Sequence, residues 1–190
     1  MHTALRFPAT LVLAALLACV SCGEQSVDDR TVRADAEGYS FVIPPVWMYF
    51  GDDSRSTHGT VFTVEILSLV DGDPTFLAEL PRSIVPQLAT RTQYFFDVVA
   101  PHKDEDVTID GLPALHVNFP VHVRKEDHPS RLDYWIVRNG DQLFILHATY
   151  PPDAPEEDAR EIESIIASWK FTPIAGADAG GEPATTVIVK

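Results

Sequence analysis

A regular alternation of apolar and polar residues between Leu115 and Arg124 most constrains what this chain can fold into. Leu115, Val117, Phe119, Val121 and Val123 point one way, and His116, Asn118, His122 and Arg124 point the other. Successive side chains of a β-strand point to opposite faces, so this pattern predicts a long strand that is half buried in a sheet.

Further strands are predicted on both sides of this segment. In residues 60–70, Phe62, Val64 and Ile66 share one face, and the residues between them share the other. Residues 132–137 and 142–150 flank Asn139-Gly140, a pair that tolerates positive φ and predicts a hairpin with a type I′ turn. The second hairpin strand is apolar on both faces, which indicates a central position. Shorter strands are predicted at 39–43, 93–100 and 106–110.

Two helices are predicted. Near the C-terminus, Asp153 and Glu156 have capping-box spacing. The helix after them has an apolar stripe of Ala159, Ile162, Ile165, Ile166 and Trp169, whereas Glu157, Asp158, Arg160, Glu161 and Glu163 face water. The other helix lies in residues 74–91, where Pro81 and Pro86 make it short, kinked or broken.

These elements predict an α+β fold, with an antiparallel sheet of about six to seven strands packed with two helices. The aromatic residues Trp47, Phe95, Phe96, Tyr134, Trp135 and Trp169 are predicted to be core residues. No cysteine follows Cys22, so apolar packing alone must hold the domain together. The length of 190 residues allows one such domain.

The N-terminus has the pattern of a signal peptide, in which Arg6 precedes an uncharged run that ends at Cys22. This run is shorter than the roughly 20 apolar residues that a membrane-spanning helix needs. Within it, Leu16-Leu17-Ala18-Cys19 resembles the lipobox of bacterial lipoproteins. The resemblance implies that Cys19 receives diacylglycerol (and, with it, palmitate-type acyl chains) on its sulfur. Cys22 remains an alternative lipidation site.

The chain is therefore divided into four parts. Residues 1–18 are predicted to be a lipoprotein signal peptide, 19–36 a lipid-anchored flexible tether, 37–173 the folded domain and 174–190 a disordered tail. Val20, rather than Asp, follows the lipidation site, and by resemblance to lipoprotein sorting signals this favours the outer membrane over the inner membrane.

Charge excludes one class of partner. Removal of residues 1–18 takes away only Arg6, so Lys and Arg fall from 14 to 13 against 28 Asp and Glu, and the formal charge changes from −14 to −15. Such a surface repels phosphate backbones and anionic headgroups, which argues against binding to nucleic acid. Contact with the membrane is expected through the lipid anchor only.

His116, His122 and His147 are the candidate catalytic or metal-binding residues. His116 and His122 share a face, but six strand residues separate them by roughly 20 Å, too far for one metal ion. Pairing of either with His147 across strands stays open. A hydrolase using His147 or His116 as its base, oriented by a carboxylate, and a metal-carrying module are therefore the alternative functions.

Other segments lack the spacing of known sites. The Asp-Gly-Asp at 71–73 has no further carboxylates of a calcium loop and is interpreted as a turn. The sequence contains no G-x-S-x-G, phosphate-binding glycine loop or H-E-x-x-H motif. The charged connection 124–131 is the predicted partner-contact site, since exposed loops on rigid sheets often bind partners.

Over most of residues 37–171, the chain resembles the PsbP/Mog1/DcrB-like superfamily. The resemblance lies in the segments GYSFVIPPVW, VTIDGLPALHVNF and YWIVRNGDQLFILHATYPPDAPEEDAREIESIIASWKF. The resemblance implies an α+β scaffold that binds partners, and it transfers no catalytic residue and no cofactor. The sequence thus predicts a non-enzymatic, lipid-anchored binding or assembly module outside the cytoplasm. Its partner is expected to be an envelope protein whose identity the sequence leaves open.

Overall fold

The computed structural model describes residues 26–28, 30–51, 53–69, 74–124 and 128–172. The predicted signal peptide, both cysteines, the turn at 71–73 and the tail at 174–190 lie outside these residues. The strands are β1 (Ser26–Asp28), β2 (Thr31–Ala34), β3 (Tyr39–Val42), β4 (Met48–Phe50), β5 (Asp53–Arg55), β6 (Val61–Ser68), β7 (Phe96–Val98), β8 (Lys103–Ile109), β9 (Leu112–Val123), β10 (His128–Asn139), β11 (Gln142–Tyr150) and β12 (Lys170–Phe171). The helices are α1 (Pro74–Ser83), α2 (Val85–Phe95) and α3 (Glu156–Ser168).

A large antiparallel sheet forms the centre of the fold, in the order β4-β5-β6-β11-β10-β9-β7, with β8 also paired to β9. This confirms the predicted α+β class, although the sheet has eight strands instead of six to seven. Strand β11 is central, as predicted, because it pairs with β6 on one side and β10 on the other.

Each face of the large sheet is covered by helices. On the face that we call the α1/α2 face, the apolar row of β9 packs with Leu80, Ile84, Val85 and Leu88. On the opposite face, the α3 face, Phe62, Phe144 and Leu146 pack with Ile162, Ile165 and Trp169. The apolar row of β9 therefore belongs to the core of the α1/α2 face, and its polar row lies on the α3 face.

A smaller sheet, in the order β1-β2-β3-β12, closes the core on the α3 face. Val32 and Ala34 of β2 are buried, with exposures of 1% and 0%. The predicted tether 19–36 therefore includes two strands of this sheet, Ser26–Asp28 and Thr31–Ala34, so the folded part begins before residue 37. The four residues Thr-Val-Arg-Ala alternate like a strand, but they are too few to stand out in a polar stretch.

The first helical region is broken, as the prolines predicted. Helix α1 ends at Ser83 and α2 starts at Val85, so Ile84 lies between them. Pro86 lies in the first turn of α2, where a missing N–H costs no helical hydrogen bond.

The predicted strand at 93–100 is largely wrong, because α2 continues to Phe95 and leaves only Phe96–Val98 as β7. Leu88 and Thr92, four residues apart, form the buried side of α2. Phe95 points away from them with 68% exposure, so its predicted core position is also wrong.

Two predicted local details differ from the structure. Asn139 pairs with Gln142, so the hairpin turn consists of Gly140 and Asp141, and only Gly140 has positive φ, at 61°. That pattern belongs to a type II′ turn and not to the predicted type I′. Helix α3 starts after Pro155 without a side-chain capping bond, so the predicted capping box is wrong.

Strand β9 has two successive neighbours on its outer edge. Leu112 to Asn118 pair with β8, and Val121 to Val123 pair with β7. Pro120 lies where the neighbour changes, and its carbonyl accepts a hydrogen bond from the Val99 N–H at 3.2 Å. A proline fits there because it has no N–H to leave unpaired. Within the described ranges, no helix is long and apolar enough to cross a bilayer.

Candidate functional site

A cleft of about 400 Å³ opens on the α3 face, beside the exposed side of helix α3. We call it the polar cleft. It is lined by Glu105, Val107, His116, Asn118, Arg131, Asp133, Trp135, Tyr150, Ala159 and Glu163. Five of these ten side chains are acidic or basic, so the cleft differs from the apolar core beside it.

The strand register brings the polar side chains together. His116 lies opposite Trp135 of β10 and Glu105 of β8, and Asn118 lies opposite Asp133. All of these positions share one face because the side chains of paired strand residues point the same way. The polar row of β9, which the sequence predicted as a polar sheet face, thus becomes the floor of the cleft.

Asp133 is the centre of the polar contacts, and its side chain is only 5% exposed. Asn118 Nδ2 donates to Asp133 Oδ1 at 2.6 Å. The Nε atom of Arg131 lies 3.0 Å from Asp133 Oδ2, and His116 Nε2 lies 3.4 Å from Oδ1. Burial opposes ionisation, but these contacts outweigh it and lower the pKa of Asp133. The buried carboxylate therefore stays charged.

His116 lies between two carboxylates and stacks on Trp135, with ring centroids 4.7 Å apart. Its Nδ1 is 2.9 Å from Glu105 Oε1, on the side opposite Asp133. Burial lowers the pKa of His116, but the nearby carboxylates of Asp133 and Glu105 more than compensate and raise it above 6.5. Both ring nitrogens face acceptors, an arrangement that suits a protonated imidazolium.

Arg131 is the cationic group that the cleft exposes to solvent. Its guanidinium carbon lies 4.1 Å from the centre of the Tyr150 ring, and 43% of its side chain is exposed. Burial and the Asp133 charge raise the pKa of Tyr150, so its hydroxyl stays neutral. The aromatic ring and Asp133 together hold the guanidinium of Arg131 in place while its side chain remains partly exposed.

A second cavity of about 250 Å³ adjoins the polar cleft and shares Arg131, Tyr150 and Ala159 with it. Its other lining residues include Pro129, Pro151, Pro152 and Pro155. We call the two cavities together the α3 groove. Residues 129–131 of the predicted contact connection line this groove, but they belong to strand β10 and not to a loop.

His147 lies on the α1/α2 face, and the structure therefore separates it from His116. It stacks on Tyr134 at 4.6 Å, and its Nε2 is 3.0 Å from Thr149 Oγ1. Burial lowers the pKa of His147 to about 4, which keeps the ring neutral. The cross-strand pairing of His147 with His116, which the sequence left open, does not occur, and His122 lies six residues beyond His116 on β9.

Sequence reasoning missed a second polar cluster, at Asp158. This residue was predicted to face water, but it is fully buried. Ser56 Oγ donates to Asp158 Oδ2 at 2.7 Å, and His58 Nδ1 lies 2.8 Å from Oδ1. Ser56 contacts the carboxylate and not the His58 ring, so the cluster lacks the Ser-to-His hydrogen bond of a hydrolase triad.

The Asp158 cluster joins the turn between β5 and β6 to the start of α3. Burial opposes ionisation of Asp158, but hydrogen bonds from Thr60, Ser56 and His58 lower its pKa. No local sequence pattern links a turn and a helix that are 100 residues apart. In the part of the chain that the structure describes, no three His, Cys, Asp or Glu side chains are grouped to hold a metal ion.

Comparisons with known proteins add the following findings. No family model matches the sequence, and no curated protein matches it. Cyanobacterial PsbP (CyanoP) from Synechocystis is 14% identical, with a TM-score of 0.49 over 83% of this chain and 99% of its own. LpqN of Mycobacterium tuberculosis, involved in cell envelope biogenesis, is 11% identical, with a TM-score of 0.49 over 71% and 83%.

The Ran-binding protein Mog1p of Saccharomyces cerevisiae is 11% identical, with a TM-score of 0.48 over 77% of this chain and 96% of its own. A PsbP protein and a Mog1 protein are thus among the solved structures to which this chain is similar. Likeness at this level carries no statement about activity or partners. The α+β class rests on the strand order and helices of the chain itself.

Proposed function

We propose that this protein is a lipid-anchored, non-enzymatic module of the bacterial envelope that binds another envelope protein through the α3 groove. The observation that supports this proposal most is the polar cleft, whose buried Asp133 is neutralised by neighbouring groups while Arg131 stays accessible. Such a site offers a fixed cation beside an apolar cavity. A fixed cation and an apolar cavity suit the recognition of a partner surface. Hydrolysis would need a general base.

The alternative of a histidine-dependent hydrolase finds little support in the geometry. A general base needs a free ring nitrogen and a pKa near the working pH. Both nitrogens of His116 face carboxylates, and its raised pKa favours the protonated form. His147 is partly buried on the opposite face and has a pKa of about 4. His116 therefore lacks a free ring nitrogen, and His147 lacks a pKa near the working pH.

The anchoring part of the proposal rests on the sequence around Cys19. Removal of residues 1–18 would leave Cys19 as the first residue, with acyl chains that hold the domain at the membrane. One acyl chain binds membranes only weakly, whereas two or more give stable attachment. Val20 after the lipidated residue supports the outer membrane as the destination.

In-cell photo-crosslinking tests the groove. A photoreactive amino acid at Glu163, an exposed position on the groove, should crosslink the full chain to a discrete envelope protein. The same probe at Asp141, in the exposed β10–β11 turn, is the matched control. Arg131→Ala should weaken the crosslink from position 163, and Arg131→Lys should weaken it less. Equal crosslinking from both positions, or none from position 163, would contradict the groove as the binding site.

Metabolic labelling tests the anchor separately. Labelled palmitate should enter the wild-type chain and Cys22→Ser, and it should be absent from Cys19→Ser, which should leave the membrane fraction. Loss of label in Cys22→Ser with retention in Cys19→Ser would move the lipidation site to Cys22. An unlabelled wild-type chain would refute lipid anchoring without affecting the crosslinking result.

A further inference from the structure

Three apolar side chains lie exposed within five residues at one edge of the large sheet. Val46 is 50% exposed, Met48 54% and Phe50 58%. We call residues 46–50 the apolar edge segment. Single exposed apolar residues are ordinary, but a group of them on one edge indicates a contact surface.

The register of β4 explains why these side chains point outward. Tyr49 lies opposite Ser54, which is 1% exposed, and packs against the core of the α3 face. Met48 and Phe50 flank Tyr49 on the strand and therefore point to the other side. Because β4 is the last strand of the sheet, no further strand covers this edge among the described residues.

The apolar edge segment follows a loop that is hydrogen-bonded to the turn end of the β1–β2 hairpin, the first part of the fold that the chain forms. The Ile43 N–H donates to the Arg30 carbonyl at 2.9 Å, and Arg30 Nη1 donates to the Pro44 carbonyl at 2.8 Å. Arg30 follows β1, which begins at Ser26. The seven residue steps from Cys19 to Ser26 span at most about 25 Å when fully extended.

We propose that the apolar edge segment rests on the surface of the lipid bilayer and orients the domain there. The proposal rests on the lipid anchoring at Cys19 proposed above, since the short connection to Ser26 keeps the β1–β2 hairpin near the membrane, and the loop before the edge segment is hydrogen-bonded to the turn of that hairpin. The Arg55 guanidinium carbon lies 5.7 Å from the centre of the Phe50 ring, and Arg30 is exposed nearby. Apolar side chains combined with arginine suit the interface between headgroups and acyl chains.

The negative charge of the rest of the molecule restricts this contact to one place. With a formal charge of −14 for the full sequence, most of the surface is repelled by anionic headgroups, whereas this edge offers apolar side chains and Arg30, and the charge of Arg55 is paired with Asp53 at 3.0 Å. The bilayer is therefore the occupant that fits the edge and its position. A protein partner on the same edge is the competing outcome of the test.

The opposite edge of the sheet provides a matched control. There, at the end of α2 and beyond β7, Tyr94, Phe95 and Val99 are 71%, 68% and 49% exposed. These side chains are equal in number and similarly exposed, but β7 lies at the far end of the strand order from β4. A contact driven by exposure alone would involve both edges.

Depth-dependent fluorescence quenching can test the proposal. The full lipidated chain carrying Cys22→Ser receives one further change, Met48→Cys, Phe50→Cys or Phe95→Cys, and each new thiol is labelled with an environment-sensitive fluorophore. The proteins are reconstituted into phosphatidylethanolamine vesicles that contain a nitroxide-labelled phosphatidylcholine. Circular dichroism confirms that each variant is folded, and palmitate labelling confirms the anchor.

We expect blue-shifted emission and nitroxide quenching at positions 48 and 50, and neither at position 95. Quenching at position 95 that equals or exceeds quenching at 50 would overturn the proposal, and so would a lipidated chain without quenching at 48 and 50. A lipidated chain without quenching at 48 and 50 is also the result expected if this edge binds a protein partner instead of the bilayer. A chain without palmitate would refute the anchor itself, so the two failures are distinguishable.

Discussion

At Asp158 a carboxylate is fully buried because side chains of a single turn satisfy its oxygens. Ser56 and His58 contact one oxygen each, and the Ser56 oxygen also accepts the N–H groups of His58 and Thr60. An ionised group tolerates burial only when such partners replace water. The cluster fixes the β5–β6 turn against α3 and so determines how this helix sits on the sheet.

We expect Asp158→Ala to lower the free energy of unfolding by about 1–3 kcal/mol, because buried donors lose their acceptor. Chemical denaturation followed by circular dichroism measures the change. Glu157→Ala is the control, since Glu157 is exposed in the same first turn and shares the helix-dipole interaction. Equal effects of the two substitutions would argue against the cluster.

The lowered pKa of Asp158 also predicts a pH dependence. A carboxyl whose pKa is lower in the folded state stabilises the protein above its unfolded pKa of about 3.9 and loses this contribution as the pH falls through the folded value. Stability measured from pH 6 to pH 2 should therefore decrease less steeply in Asp158→Asn than in the wild type. An unchanged slope would contradict the prediction.

His116 and His147 should titrate on opposite sides of 6.5, because carboxylates raise the pKa of His116 and burial lowers that of His147 to about 4. Protonated His116 stabilises the fold below pH 6.5, a contribution lost as the pH rises through its folded pKa. Because folded His147 stays neutral while the unfolded chain binds a proton there, the stability falls as the pH decreases from 6.5 to about 4.

NMR titration of the ring protons measures both values. Asp133→Asn should lower the pKa of His116, whereas Asp141→Asn, in the distant exposed turn, should leave it unchanged. A His116 pKa below 6.5 in the wild-type protein would show that burial outweighs the two carboxylates.

Among the elements, the long strands could be read from the sequence because one face of each is buried and the other is not. The β8–β9 hairpin was harder to specify, since β8 is exposed along most of its length and has no clear alternation. Its Asp110-Gly111 turn has positive φ at both residues, 48° and 80°, as a type I′ turn requires. A type I′ turn therefore occurs in the β8–β9 hairpin, where none was predicted from the sequence.

Gly111→Ala should destabilise the protein by about 1–2 kcal/mol, because an L-residue with a Cβ is strained in the left-handed region. No neighbouring atom lies within 4 Å of an added Cβ, so the cost is one of backbone conformation. Gly111→Asn should cost less, since asparagine tolerates this region. Thermal unfolding compares the two variants, and an alanine variant as stable as the asparagine variant would contradict this explanation.

Across the whole molecule, the α+β class could be predicted, but the polar cleft could not. His116 and Asn118 were recognised as one polar face, whereas Glu105, Arg131 and Asp133 come from neighbouring strands whose register the sequence does not specify. The same limit applies to Asp158, where a helix position that faces water by periodicity is covered by a distant turn. Sequence patterns reveal which face is buried, and tertiary pairing decides which charges meet.

Trp169 joins the layers of the molecule. It is fully buried, and its ring stacks on Tyr39 at 4.8 Å and on Phe41 at 5.4 Å in the small sheet. Trp169→Ala should lower the free energy of unfolding by about 3–5 kcal/mol through the lost contacts and the resulting cavity. Denaturant unfolding measures this loss, and a smaller m-value would show that the small sheet has separated.

Trp169→Phe is the milder comparison. The Trp169 Nε1 atom has no hydrogen-bond partner among the described residues, so phenylalanine removes part of the ring without leaving an acceptor unpaired. It should cost clearly less than alanine. Similar losses for both variants would indicate that the indole makes a specific polar contact.

The two short neighbours of β9 suggest a use for this fold as a display scaffold. Ala100 and Pro101 lie between β7 and β8 and are exposed, and the last backbone hydrogen bond before them is made by Val99. A foreign loop grafted between Ala100 and Pro101 would lengthen a connection while both ladders stayed intact. The scaffold could thus present an epitope beside its longest strand at little cost in folding.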